Sequence, residues 1–144
     1  MAVNESFPPR ESGAGKSPKR IVVVDDHDVV RQGVRLILKG DPQWEVVGEA
    51  TDGADALEKI ETLQPDLVIL DISMPRKGGL DVIRELHEKG LRPKILVLTM
   101  HESKDLAERV QESGAAGFVV KTSAARDLVP AMKTIFRDQT FFPS

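Results

Sequence analysis

Five short runs of almost unbroken apolar residues recur along the chain, and each is followed by a stretch whose apolar positions fall three or four residues apart. The runs are Arg20 to Val24, Glu45 to Glu49, Leu67 to Leu70, Lys94 to Leu98 and Gly117 to Val120. Four are nearly pure Val, Ile, Leu or Phe, as suits strands covered on both faces; the second alternates less cleanly and suits an edge. Between and after them lie the helical patterns. Val30, Val34, Ile37 and Leu38 share one face behind Asp28, which can cap that first helix. Ala54, Leu57 and Ile60 mark a second helix, and Leu80, Ile83 and Leu86 a third. A fourth carries Leu106, Ala107 and Val110 and stops near Gly114, where a positive φ is useful. The fifth carries Leu128, Met132, Ile135 and Phe136 around Pro130. An interior proline costs roughly 3 kcal/mol, so a kink, an irregular first turn or a late start is expected there. Strand and helix alternating five times predict an α/β fold, and right-handed crossovers make it a doubly wound parallel sheet. The ligand crevice of such a sheet lies beyond the C-terminal strand ends.

Composition narrows the class. At 144 residues the chain is expected to form one domain with a full core. A net charge of -3 argues against a built-in nucleic-acid surface, so DNA binding would need another domain. The absence of cysteine excludes disulfides and thiolate metal sites. No stretch reaches membrane-spanning length and the N-terminus lacks a signal-peptide core, which makes a cytoplasmic location the default. Residues 1–18 are rich in Ser, Pro, Gly and charge and read as a flexible leader. Within it Gly15-Lys16-Ser17 mimics the end of a phosphate-binding loop, but Arg10 stands where that motif needs its first glycine and Pro18 disturbs the helix that should follow.

The predicted strand ends carry the chemistry. Asp25 and Asp26 follow the first run, Asp71 the third, Thr99 the fourth and Lys121 the fifth, so four strands deliver polar groups to one edge of the sheet. A carboxylate ending a buried strand is costly unless something uses it. Three carboxylates together repel, and a hard divalent cation relieves them. Mg²⁺ takes few protein oxygens and keeps positions for water or phosphate, so Asp25, Asp26 and Asp71 suit metal-assisted phosphoryl transfer, with Asp71 as nucleophile. Lys121 can meet a phosphoryl oxygen and Thr99 can donate to another. His27, His87 and His101 show no ligand-like clustering, and no histidine metal site is expected.

Asp25-Asp26, Asp71 with Met74-Pro75 and Gly79, Thr99, and Gly117-Phe118-Val119-Val120-Lys121 together resemble a response-regulator receiver domain, over about residues 19–140. Asp25-Asp26-His27 with Val30-Arg31-Gln32-Gly33, and Leu98-Thr99-Met100-His101, resemble the NarL/FixJ class, whose members usually carry a C-terminal helix-turn-helix domain. The resemblance implies a CheY-like, flavodoxin-like sheet of order 2-1-3-4-5 with helices on both faces. It implies Asp71 as phosphoacceptor, with Thr99 and Lys121 assisting. Mg²⁺ would be held by the Asp26 and Asp71 side chains and the Ser73 carbonyl, with Asp25 acting through water. Thr99 and Phe118 would form a switch pair that repacks the fourth and fifth helix surface. A sensor histidine kinase is the implied phosphoryl donor and a homodimer on phosphorylation is compatible with it. DNA is reached only through a C-terminal domain absent from this chain, and no membrane is involved.

Thr122 follows Lys121 where many receivers have proline, Met100 replaces a small residue beside Thr99, and Phe118 lacks a tyrosine hydroxyl. Residues 141–144 read as a tail or the start of a linker, with Phe141 and Phe142 exposed if nothing covers them. The expected output is transcriptional. The alternatives are a stand-alone regulator acting by protein contact, or a phosphatase of the haloacid-dehalogenase type. That enzyme normally needs a second Asp where this chain has Ser73.

Overall fold

The computed structural model describes residues 17–74 and 77–143. The leader reading falls outside the described residues except at Ser17 and Pro18, and so do Gly15, Lys16 and Pro75. In chain order the elements are β1 (Lys19–Val24), α1 (Asp28–Leu38), β2 (Trp44–Ala50), α2 (Gly53–Leu63), β3 (Leu67–Asp71), α3 (Gly79–Glu88), β4 (Lys94–Thr99), α4 (Lys104–Glu112), β5 (Gly117–Val120) and α5 (Ala124–Ile135).

All strand pairs are parallel, and the order β2-β1-β3-β4-β5 puts the alternating strand β2 at an edge, as its pattern predicts. Period-two alternation divides the core into two layers. Val22, Val24, Val68, Leu70, Ile95, Val97 and Phe118 face α2, α3 and α4, which contribute Ile60, Ile83 and Val110. Ile21, Val23, Leu67, Ile69, Leu96, Leu98 and Val119 face α1 and α5, which contribute Val34, Leu38, Leu128 and Met132. Strand addition reverses at β1, which pairs with both β2 and β3, so the crevice opens where β1 and β3 end side by side.

Several local expectations are corrected. Asp28 does not cap α1: His27 holds the cap position without a side-chain bond, while the Asp28 carboxylate accepts from Arg31 (2.8 Å) and Gln32 (2.7 Å). Its i+3 and i+4 partners outcompete the backbone for its oxygens. In α2 the buried stripe is Gly53, Ala56, Leu57 and Ile60, and Ala54 faces solvent, because Asp52 caps the helix through Asp55 N–H and fixes its rotation. The helix α5 runs through Pro130, and the irregular turn stands before it as a 3₁₀ segment over Lys121–Ser123. The Pro130 carbonyl accepts from Thr134 Oγ1 at 2.9 Å.

The largest departure is at the C-terminal end. Asp138, with φ of 60°, turns the chain back, and Phe141 bridges Gly117 in parallel. Phe141 N–H donates to the Ala116 carbonyl and Phe118 N–H to the Phe141 carbonyl, both at 2.9 Å. Phe141 and Phe142 are therefore half-buried rather than exposed, and they pack on opposite layers of the core. Pairing covers part of the otherwise open edge of β5.

Candidate functional site

The strand ends bring the predicted residues together. Asp71 closes β3 and is 2% exposed, Asp25 follows β1 at 1%, and Thr99 closes β4 at 0%. Ligand oxygens of Asp25, Asp26 and Asp71 and a ring nitrogen of His27 all lie within 4.8 Å of one another. Asp26 and His27 sit at the solvent rim, and Asp25 and Asp71 lie behind them. Lys121 reaches in from the end of β5, with Nζ 2.7 Å from Asp25 Oδ2 and 3.6 Å from Asp71 Oδ1, and its side chain is only 8% exposed.

Each carboxylate has distinct support. Asp71 Oδ1 accepts from Ser73 N–H at 3.1 Å, which folds the loop after β3 back over the acid. Asp25 Oδ1 accepts from His27 N–H at 2.8 Å and lies 3.2 Å from His27 Nδ1. Asp26 Oδ1 is also 3.2 Å from that nitrogen. Burial pushes the Asp71 carboxyl above the ordinary carboxylate range; the Ser73 N–H opposes this, Asp25 adds repulsion, Lys121 opposes it, and Asp26 adds a smaller repulsion.

Asp25 Oδ2 tests whether the pocket suits a cation. It is buried and, despite the close Lys121 ammonium, has no donor in hydrogen-bond geometry. Three carboxylates face one ammonium, so negative charge is in excess, and the donors are hard oxygens except for one imidazole. That donor set fits Mg²⁺.

Thr99 Oγ1 accepts from His101 N–H at 3.2 Å. Phe118, on the neighbouring strand, is 4% exposed and belongs to the core layer under α4. It also lines a cleft shared with Ser103, Lys104, Phe141 and Phe142. Met100 points largely to solvent, and Gly79 presses its backbone on the end of β3. Two contributors were missed from sequence. His27 joins the acid cluster, contrary to the expectation of no histidine clustering; its place directly after Asp25-Asp26 was the available signal. Arg31, one turn into α1, donates to the Asp25 carbonyl at 2.7 Å; its place in the Val30-Arg31-Gln32-Gly33 motif was noted without that role.

Residues 21–133 match the family described as the response regulator receiver domain. The chain belongs to that family. Among curated relatives the chain is 37% identical to the response regulator UvrY of Escherichia coli K12, over 86% of this chain and 57% of that one. The chain spans about half the length of the curated relatives it matches. The signal receiver domain of the response regulator NarL from Mycobacterium tuberculosis superposes with a TM-score of 0.80 at 34% identity, covering 86% of this chain and all of that one. The isolated receiver domain of RcsB from Salmonella enterica serovar Typhimurium, in the presence of the phosphomimetic BeF3-, gives 0.80 at 27% identity, covering 88% and 94%. The fold is thus the CheY-like sheet of receiver domains, and the relatives are NarL/LuxR-type response regulators of two-component systems. This receiver is a signalling domain, and the dehalogenase-type reading is set aside.

Proposed function

We propose that this receiver accepts a phosphoryl group on Asp71 from a sensor histidine kinase and, once modified, changes its output surface. The observation that carries the reading is the buried Asp71 carboxylate at the end of β3, with Asp25, Asp26 and Lys121 around it. Asp26 and Asp71, with the Ser73 carbonyl, would hold Mg²⁺, and Asp25 would act through water. When bound, Mg²⁺ would neutralise the carboxylates and the charge of a transferring phosphoryl group.

The remaining work falls to side chains of the chain itself. Asp71 offers a carboxylate oxygen as nucleophile, and burial in a crevice limits competing water. Lys121 is already drawn to the acids, and its ammonium can shift from Asp25 to a phosphoryl oxygen once Asp71 carries one. Thr99 has its hydroxyl at the adjacent strand end, where it can turn from the His101 amide toward new charge. Motion of Thr99 would free space for the Phe118 ring, whose cleft contains the start of α4 and the returning Phe141-Phe142 segment. A local charge event would then alter the α4, β5 and α5 surface.

Receiver function is assigned to residues 19–140, with the Phe141-Phe142 segment packed against the same core. The length and class of the relatives support transcriptional output through a C-terminal DNA-binding domain outside this chain, in a cytoplasmic setting. A homodimer formed on phosphorylation is compatible with such output, and stand-alone action by protein contact is the alternative.

The test of the metal part is thermal. Mg²⁺ is expected to raise the midpoint by binding the folded state, with about 2.7 kcal/mol gained at a hundredfold excess over Kd. The rise should be much smaller for Asp26→Ala. Equal rises in the two proteins would remove Asp26 from the ligand set.

A further inference from the structure

Arg31 is a largely buried cation whose three sets of N–H groups are all engaged, each by a different element. Its side chain is 12% exposed. Nη1 donates to the main-chain carbonyl of Asp25 at 2.7 Å, Nε to Glu49 Oε1 on β2 at 2.9 Å, and Nη2 to Asp28 Oδ1 on its own helix at 2.8 Å. Glu49 is held in turn by Arg35, which bonds its other oxygen, and Lys59 Nζ donates to the Glu49 carbonyl at 2.6 Å. Asp25 is fastened from the other side as well, since its N–H donates to the carbonyl of Ala50, the residue after Glu49. Both peptide groups of Asp25 therefore refer back to neighbouring residues of one edge strand, one directly and one through the guanidinium.

The consequence concerns the acids. The chain leaves β1 at Val24 and must present two consecutive carboxylates, one buried beside Lys121 and one at the rim. Free rotation about the Asp25 backbone would swing both. We propose that Arg31 is a positioning residue for the Asp25-Asp26 pair, clamping the Asp25 carbonyl to β2 through Glu49 so that the two carboxylates stay presented to a divalent cation. This inference rests on the Mg²⁺ reading above and adds to it a residue that is not a ligand. Only a planar fork can meet a carbonyl and two carboxylates in these three directions; a lysine ammonium in the same place is a single point of attachment.

The sign of the effect separates positioning from charge. Arg31 carries positive charge near a cation site, so its Coulomb effect alone opposes Mg²⁺, and removing it would tighten binding. Loss of positioning weakens binding instead. Isothermal titration of Mg²⁺ into the full chain, with thermal midpoints measured separately without Mg²⁺, distinguishes the two. Arg31→Gln is expected to weaken Mg²⁺ binding roughly tenfold or more, the range seen when groups supporting metal ligands are removed. Arg31→Lys keeps the charge and should also weaken it, by a smaller factor, and serves if Arg31→Gln does not fold. Arg35→Ala removes a positive charge and a Glu49 partner but no contact to Asp25, and should bind Mg²⁺ within about twofold of the unaltered protein or more tightly. Arg31 variants that bind as tightly as the unaltered protein would overturn the proposal, as would an equal loss in Arg35→Ala. Failure of the unaltered protein to bind Mg²⁺ would instead sink the site reading, and this inference with it.

Discussion

Asp71 carries an energetic cost that the fold tolerates. Burial and the neighbouring acids raise its folded-state pKa above the unfolded value, so the protonated form is favoured on folding. The associated stabilisation is complete below the unfolded pKa and is lost as pH rises through the folded one; at neutral pH the ionised group weakens the fold. Asp71→Asn is therefore expected to raise the thermal midpoint near pH 7 without Mg²⁺, on the order of 1 kcal/mol or more, as when a buried charge gives way to a neutral isostere. The gain should shrink as pH falls, because protonation of Asp71 removes the buried charge that Asn lacks. A variant no more stable than the unaltered protein near neutrality would contradict this. Asp25, Asp71, Thr99 and Lys121 were legible in the sequence because each directly follows an apolar run, and Asp26 because it follows Asp25; the change from buried strand to polar end is itself the signal. His27 and Arg31 were not, since a loop's path and a side chain's reach across to Glu49 leave no periodic trace.

Among the elements, the start of α3 packs closely on the end of β3. A Cβ on Gly79 would stand 2.9 Å from the Asp71 carbonyl oxygen and 2.9 Å from Ile72 Cα, both backbone atoms that cannot swing aside. Gly79→Ala is expected to destabilise by about 1–3 kcal/mol, the usual cost of overpacking. It should also reduce Mg²⁺ affinity, because the strain falls on the loop that returns to Asp71. Denaturant unfolding with and without Mg²⁺ checks both, and unchanged stability would mean that the α3 terminus yields freely. The strands were read nearly to the residue because buried parallel strands are almost continuous apolar runs. Helix details fared less well. The rotation of α2 is set by the Asp52 cap, and Asp28 serves side chains instead of the α1 backbone. The pairing of Phe141 with Gly117 rests on a reversal at Asp138 and a bridge too short to show alternation.

On the scale of the molecule, function and topology are the same fact seen twice. A parallel sheet places every strand's C-terminal end on one side, and the reversal at β1 opens a crevice there. Acids from β1 and β3, a hydroxyl from β4 and an ammonium from β5 meet at that side only because the sheet is doubly wound in this order. The same architecture sets Phe118 in a cleft with the start of α4 and the returning C-terminal segment, where the proposed charge event would be turned into a change of shape. The most direct measurement is incubation of the full chain with a small phosphodonor and Mg²⁺, followed by intact mass and peptide mapping. One phosphoryl group per chain, located on Asp71, lost in Asp71→Asn and dependent on Mg²⁺, is the expected result. Modification at another residue, or an unmodified chain under conditions where Mg²⁺ binding is demonstrated, would contradict the account.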